Sequence, residues 1–175
     1  MDKHAEVLEL RETEPGVWTW ERTGMAWANI TFQSKNNLFS SVGIGARSAV
    51  VTIRRRPLTL HNALRWNGRH LFLTAVVSRG RNYWDVDAAV VTPVPCGYEG
   101  ITFPAVRTEK YLGWNRDVPP MSRNEYTFVL VAPKAVPALE PGGLVRVDGA
   151  EWEVRAAHTL DEYKNEYEVA RTVDL

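Results

Sequence analysis

A chain of 175 residues with 45% apolar and 24% charged side chains suits one ordinary folded domain or two small ones, and its composition excludes bulk disorder. No apolar run approaches the ~20 residues that cross a bilayer. MDKHAEVLELRE at the start lacks the basic-then-apolar layout of a secretion signal, so a soluble protein that stays where it is made is expected. The formal charge is zero, yet residues 1–95 carry 12 basic and 8 acidic side chains (net +4), whereas residues 96–175 carry 9 and 13 (net −4). The lone cysteine, Cys96, excludes an internal disulfide and any cysteine-cluster metal site, and it reads as a small buried hydrophobe.

In chain order, AEVLELRE and GVWTWE form a first strand pair. In GMAWANITF, Ala28, Ile30 and Phe32 alternate with Trp27, Asn29 and Thr31, the period of a half-buried strand. QSKNNLFSSVGIGARS (33–48) reads as a long irregular segment. Its GIGARS stretch lacks the Lys-Ser/Thr of a phosphate-binding loop and is expected to be a flexible loop. RSAVVTIRRR is a strand ending in Arg54, Arg55 and Arg56. Pro57 suits a first helical turn, so PLTLHNAL (57–64) is expected to be a short helix. ALRW-NG-RHLFLTAVV follows as a hairpin, because Asn-Gly accepts the positive φ angles of a type I′ turn. The strand NYWDVDAAVV then leads to TPVPCG, where two prolines and a glycine interrupt the strands and set a boundary at 95/96.

The second half repeats this order. A long irregular segment (107–125) precedes TFVLV, then the hairpin GLVRV-DG-AEWEVRAAH, a polar turn and EYEVARTV. With Gly68 laid over Gly149, Leu71 meets Trp152, Leu73 meets Val154 and Ala75 meets Ala156, so the apolar faces stay in phase. The expected fold is all-β: two tandem small β-barrels of about five strands each, residues 1–95 and 96–175, with long loops.

Chemistry-bearing constellations are sparse. His4, His61, His70 and His158 show no i, i+4 or HxH spacing. Asp85 and Asp87 share a strand face and read as solvated acids, and neither GxSxG nor a GK[ST] loop occurs. No catalytic residue, metal or cofactor is expected. Of seven tryptophans, Trp84 and Trp152 fall in phase with cores, Trp18 and Trp20 share one face of an early strand, and Trp114 lies in a long loop as an interface candidate. From Arg47 through Trp84 there are eight arginines and no acid, so a basic surface is expected there. Arg54, Arg55 and Arg56 are candidates for contact with an acidic neighbouring subunit, joined by Lys35 and Arg47 from the first long segment. Two other readings fit the same residues: an OB-like nucleic-acid-binding module using the arginines, and a carbohydrate-binding tail module using the tryptophans.

The first half resembles the head–tail joining, or head-completion, proteins of long-tailed bacteriophages. The likeness covers roughly residues 5–92: the opening strand pair, GMAWANIT like the family's "vWA-x-v" strand, the long segment, VTIRRR, and LTLHNALRWNGRHLFLTAVV like its "g-x-x-y-x-I" hairpin. Typical members stop where this chain carries a second, diverged copy. The resemblance implies a small β-barrel that forms a homo-oligomeric ring in the virion neck, made in the host cytoplasm. Its implied partners are the portal or adaptor protein, the tail terminator or tail-tube protein, and packaged DNA, with no membrane.

Overall fold

The computed structural model describes residues 2–110 and 125–172, and every regular element among them is a β-strand. The strands are β1 (Lys3–Glu14), β2 (Val17–Asn37), β3 (Ala46–Arg54), β4 (Asn62–Trp66), β5 (Arg69–Arg79), β6 (Tyr83–Val91), β7 (Pro93–Tyr98), β8 (Ile101–Glu109), β9 (Glu125–Pro133), β10 (Leu144–Val147), β11 (Ala150–Thr159) and β12 (Lys164–Thr172).

All twelve belong to one sheet, and its pairings close on themselves twice. The first circuit runs β1–β2–β3–β6–β5–β4 and back to β1. The second runs β7–β8–β9–β12–β11–β10 and back to β7. Strand for strand, the second circuit has the connectivity of the first. Among the described residues, one parallel rung between strands, Val17↔Thr102, and one isolated bridge, Gly43↔Lys110, join the two.

Local geometry repeats as well. Asn67 and Gly68 (φ 49° and 73°) and Asp148 and Gly149 (φ 50° and 81°) have the paired positive φ of type I′ hairpins. Beyond each turn a bulge follows at the matching place, between Leu73 and Ala75 on β5 and between Val154 and Ala156 on β11. A Cβ at Gly68 or Gly149 would meet nothing within 4 Å, so only backbone strain opposes a side chain there. Gly68→Val and Gly149→Val are each expected to cost about 1–3 kcal/mol. Urea unfolding of each variant checks this; unchanged midpoints would show that the positive φ is not enforced.

Three apolar clusters hold the circuits. One fills the first circuit with Val7, Ile30, Val51, Ile53, Leu64, Leu73 and their neighbours. A second fills the other with Phe103, Phe128, Leu130, Val145, Val154 and Tyr167. The third lies between them, combining Phe72 and Ala89 of the first circuit with Val106, Val129 and Val131 of the second and Phe39 from the β2–β3 connection. The β1–β2 hairpin also crosses over. An extra residue on β2, Thr23, shifts the register between Val7↔Gly24 and Leu8↔Arg22. On one side of that bulge Ala5 and Val7 pack into the first core. On the other, Leu10, Trp18 and Trp20 pack into the second.

Several expectations are corrected. Each circuit has six strands rather than about five. The opening pair's second member and GMAWANITF are one continuous strand, β2, which pairs with β1 in its first half and β3 in its second. The segment 33–48 is half strand, because β2 runs to Asn37 and β3 starts at Ala46, with Gln33–Lys35 bulged out opposite the rung gap between Phe32↔Ala49 and Asn36↔Arg47. GIGARS is not a flexible loop: Gly43 bridges to Lys110 on the other circuit. The Ile44 amide donates to the Glu109 carbonyl at 3.0 Å. Nor is PLTLHNAL helical. Leu58 is drawn into the first core, and the Asn62 amide donates to the Thr59 carbonyl while the Asn62 side chain accepts from the Thr59 amide, closing a tight turn into β4. TPVPCG does not interrupt the sheet but supplies β7, where Pro95 faces Pro104 and puts two residues without an N–H on one rung. The circuits therefore change over at Thr92, inside that motif. Of the segment 107–125, β8 occupies the start as far as Glu109, and residues 111–124 lie outside the described residues.

Candidate functional site: a junction groove and an arginine-bearing outer face

Where the start of β2 diverges from β8, a groove of about 740 Å³ opens between the circuits. Its walls are apolar and include Trp18 and Trp20 from β2, Val94 from β7, and Ile101 and Pro104 from β8. Glu99, Leu144 and Glu151 also line it. Glu99 occupies a positive-φ turn position (49°) before Gly100, and Leu144 is 60% exposed. Glu151 shares an exposed ion pair with Arg146 at 3.4 Å, and Glu99 has none among the described residues. Cys96 touches the groove but is chemically quiet: burial first, then the Asp148 charge, pushes its thiol up to about 12.

The second feature is the outer face of the first circuit. Alternation sends Met25, Trp27, Asn29 and Thr31 of β2 outward; the rungs set Met25 and Trp27 opposite Glu6 and His4 of β1, and Asn29 and Thr31 opposite outward residues of β3. One row is Asn29–Thr52–Asp85–Val77, and beside it Arg54–Tyr83–Arg79. Trp27 (54% exposed), Val77 (57%) and Met25 (45%) leave apolar surface open among these arginines. His4 packs edge-on against Trp27, with ring centroids 3.5 Å apart. Arg81 sits in the turn that joins β5 to β6.

The candidate arginines have unlike roles. Arg54 is exposed, and neither it nor Arg81 has an ion-pair partner among the described residues. Arg55 stacks over Trp84 at 4.4 Å. Arg56 turns inward: its Nη1 donates to the Met25 carbonyl at 2.9 Å, its own carbonyl accepts from Trp84 Nε1 at 3.0 Å, and its Nε is buried without a partner among the described residues. Arg56 thus fastens the end of β3 to the free edge of β2. Arg47 and Lys35 lie toward the other end of β3. Arg47 and Arg69 each stand 5.0 Å from the Phe32 ring, while Lys35 is exposed on the β2 bulge. The structure therefore separates these candidates into two groups rather than gathering them. Trp114 lies outside the described residues. Trp84 and Trp152 are half-buried against the cores they were assigned to, and Cys96 is buried.

Polar groups at the junction were not legible in the sequence. Glu166 on β12 is fully buried and accepts hydrogen bonds from the Ser40 hydroxyl at 2.7 Å, the Ser41 amide at 2.9 Å and the Ser41 hydroxyl. It alternates with Tyr167 and so reads as an outward acid, and only the partner segment at 38–45 shows otherwise. His70, packed against the edge of Trp20, is held at about 4, chiefly by burial and then by Arg65. Lys110 and His158 both contact Glu168 and keep its carboxyl below the usual range, the Lys110 hydrogen bond contributing most. Asp85 accepts from Thr52 at 2.7 Å and pairs with Arg79 at 3.3 Å. No group of three or more potential metal ligands occurs among the described residues. No family model, curated protein or solved structure matches the chain.

Proposed function

We propose that this chain is a structural virion protein of a long-tailed phage. Each six-strand circuit is read as a small β-barrel, and copies form a ring in the neck that closes the head on the portal side and receives the tail. The observation that carries the reading is the doubled circuit of identical connectivity, locked by a shared apolar core. Such a body is suited to act as a rigid wedge with two unlike faces, and its exposed chemistry is that of contact: arginine, tryptophan and acid arranged on surfaces. The likeness of residues 5–92 to head–tail joining proteins supports the same conclusion.

Electron microscopy of the purified protein, alone and mixed with a portal protein, tests it. Rings that dock coaxially on the portal are expected; a protein that neither assembles nor binds a portal overturns the proposal. The nucleic-acid reading draws on the same outer arginines. It would be favoured instead by tight, salt-dependent DNA binding of the unassembled chain that Arg54→Glu abolishes.

A further inference from the structure

We propose that the outer face of one copy, centred on Trp27, seats in the junction groove of the next copy. Trp27 and Met25 would enter the groove, and Arg54 and Arg81 would meet Glu99 and Glu151 on its rim. The inference rests on the ring reading and names the surfaces that would build it.

Three observations point to a second copy as the occupant. First, the surfaces complement each other in charge and character. Exposed apolar side chains flanked by Arg54 and Arg81, which lack ion-pair partners among the described residues, lie on one, and an apolar cleft edged by Glu99, Glu151 and the Glu151-paired Arg146 lies on the other. An exposed tryptophan flanked by arginines has the composition of an interface hot spot, and charge pairs at the rim set orientation. Second, the two cannot satisfy each other within one molecule. Trp20 in the groove and Trp27 on the outer face lie on the same strand, and at ~3.3 Å per residue that separates them by roughly 23 Å. Unlike surfaces held apart on a rigid body give a heterologous contact, the kind that propagates from copy to copy and closes into rings. Third, the groove has room for more than one large side chain, and Leu144 at its mouth is 60% exposed, an apolar surface awaiting cover. Arg55 and Arg56 do not belong to this contact, because they are engaged within the chain by Trp84 and Met25.

The test is sedimentation velocity of the full chain and of charge-reversed variants, with circular dichroism as a check of folding. Arg54→Glu/Arg81→Glu and Glu99→Arg/Glu151→Arg should each raise the apparent dissociation constant of self-assembly at least tenfold, as should Trp27→Ala. Lys134→Glu, which reverses an exposed positive charge away from both surfaces, should leave assembly unchanged. Mixing the two charge-reversed proteins in equal amounts should restore assembly, because each then offers the surface the other lacks. If the wild type assembles and the reversed variants assemble equally well, or if mixing restores nothing, the named surfaces are wrong while the ring reading stands. A wild type that remains monomeric at high micromolar concentration overturns both.

Discussion

Glu166→Ala is expected to cost about 2–3 kcal/mol of folding stability, through the contact between the circuits that it anchors. Three donors converge on this buried carboxylate, the Ser40 hydroxyl and both the amide and hydroxyl of Ser41. Removing it leaves the buried Ser40 hydroxyl without this acceptor, at roughly 1–3 kcal/mol, whereas the donors of exposed Ser41 can turn to water. Glu166→Gln keeps one acceptor oxygen and offers a donor to a serine hydroxyl, so its cost should be less than half as large. Urea unfolding gives these values. Hydrogen exchange adds a local readout: the Ile44 amide, bonded to Glu109 across the junction, should exchange faster in the alanine variant. A loss below 1 kcal/mol would mean that the apolar contacts of Phe39, Phe72 and Val129 hold the 38–45 segment unaided.

Acid should weaken the fold through His70. Its folded-state value of about 4 lies below the ordinary 6.5 because burial disfavours the charged imidazole. Between those values the unfolded chain binds a proton that the folded chain refuses, so stability falls as pH drops. The contribution is whole above pH ~6.5, declines toward pH ~4 and is then fully lost, amounting to roughly 3 kcal/mol. His70→Leu removes the titration while keeping an apolar body beside Trp20. Unfolding free energies at pH 7 and pH 4 should show the wild type losing roughly 3 kcal/mol more than this variant. Carboxylates such as Glu168 titrate in both proteins and cancel in the comparison. Equal losses would show that His70 takes up its proton in the folded state without cost.

What the sequence revealed was whatever is encoded between near neighbours. Asn67-Gly68 and Asp148-Gly149 declare their turns because few other residues adopt positive φ, and period-2 alternation declares β3, β6 and β12. The phase match between halves holds as far as Leu73 and Val154; the matching bulges that follow, and that shift Ala75 and Ala156 out of the expected phase, were not legible. What stayed hidden depends on partners far along the chain. Pro93 and Pro95 argue against a strand until Pro104 is found opposite. The sharing of β2 between β1 and β3 is invisible to a local window. Arg54–Arg56 read as one basic cluster, although tertiary contacts turn Arg56 to a backbone carbonyl and leave Arg54 to solvent. The groove could not be read at all, since it exists only where β2 and β8 part after one rung.

The β1–β2 hairpin gives this body a particular response to mechanical load. A pull that separates the two circuits must drag Leu10, Trp18 and Trp20 out of the second core while breaking the Val17↔Thr102 rung. The apolar contacts on Phe72 and Val129 must yield in the same event. Resistance is therefore spread over a plug and a second apolar contact, so the connection at Thr92, where the two halves meet in sequence, does not carry the load alone. A body of this kind passes force and torque from one end to the other with little internal bending.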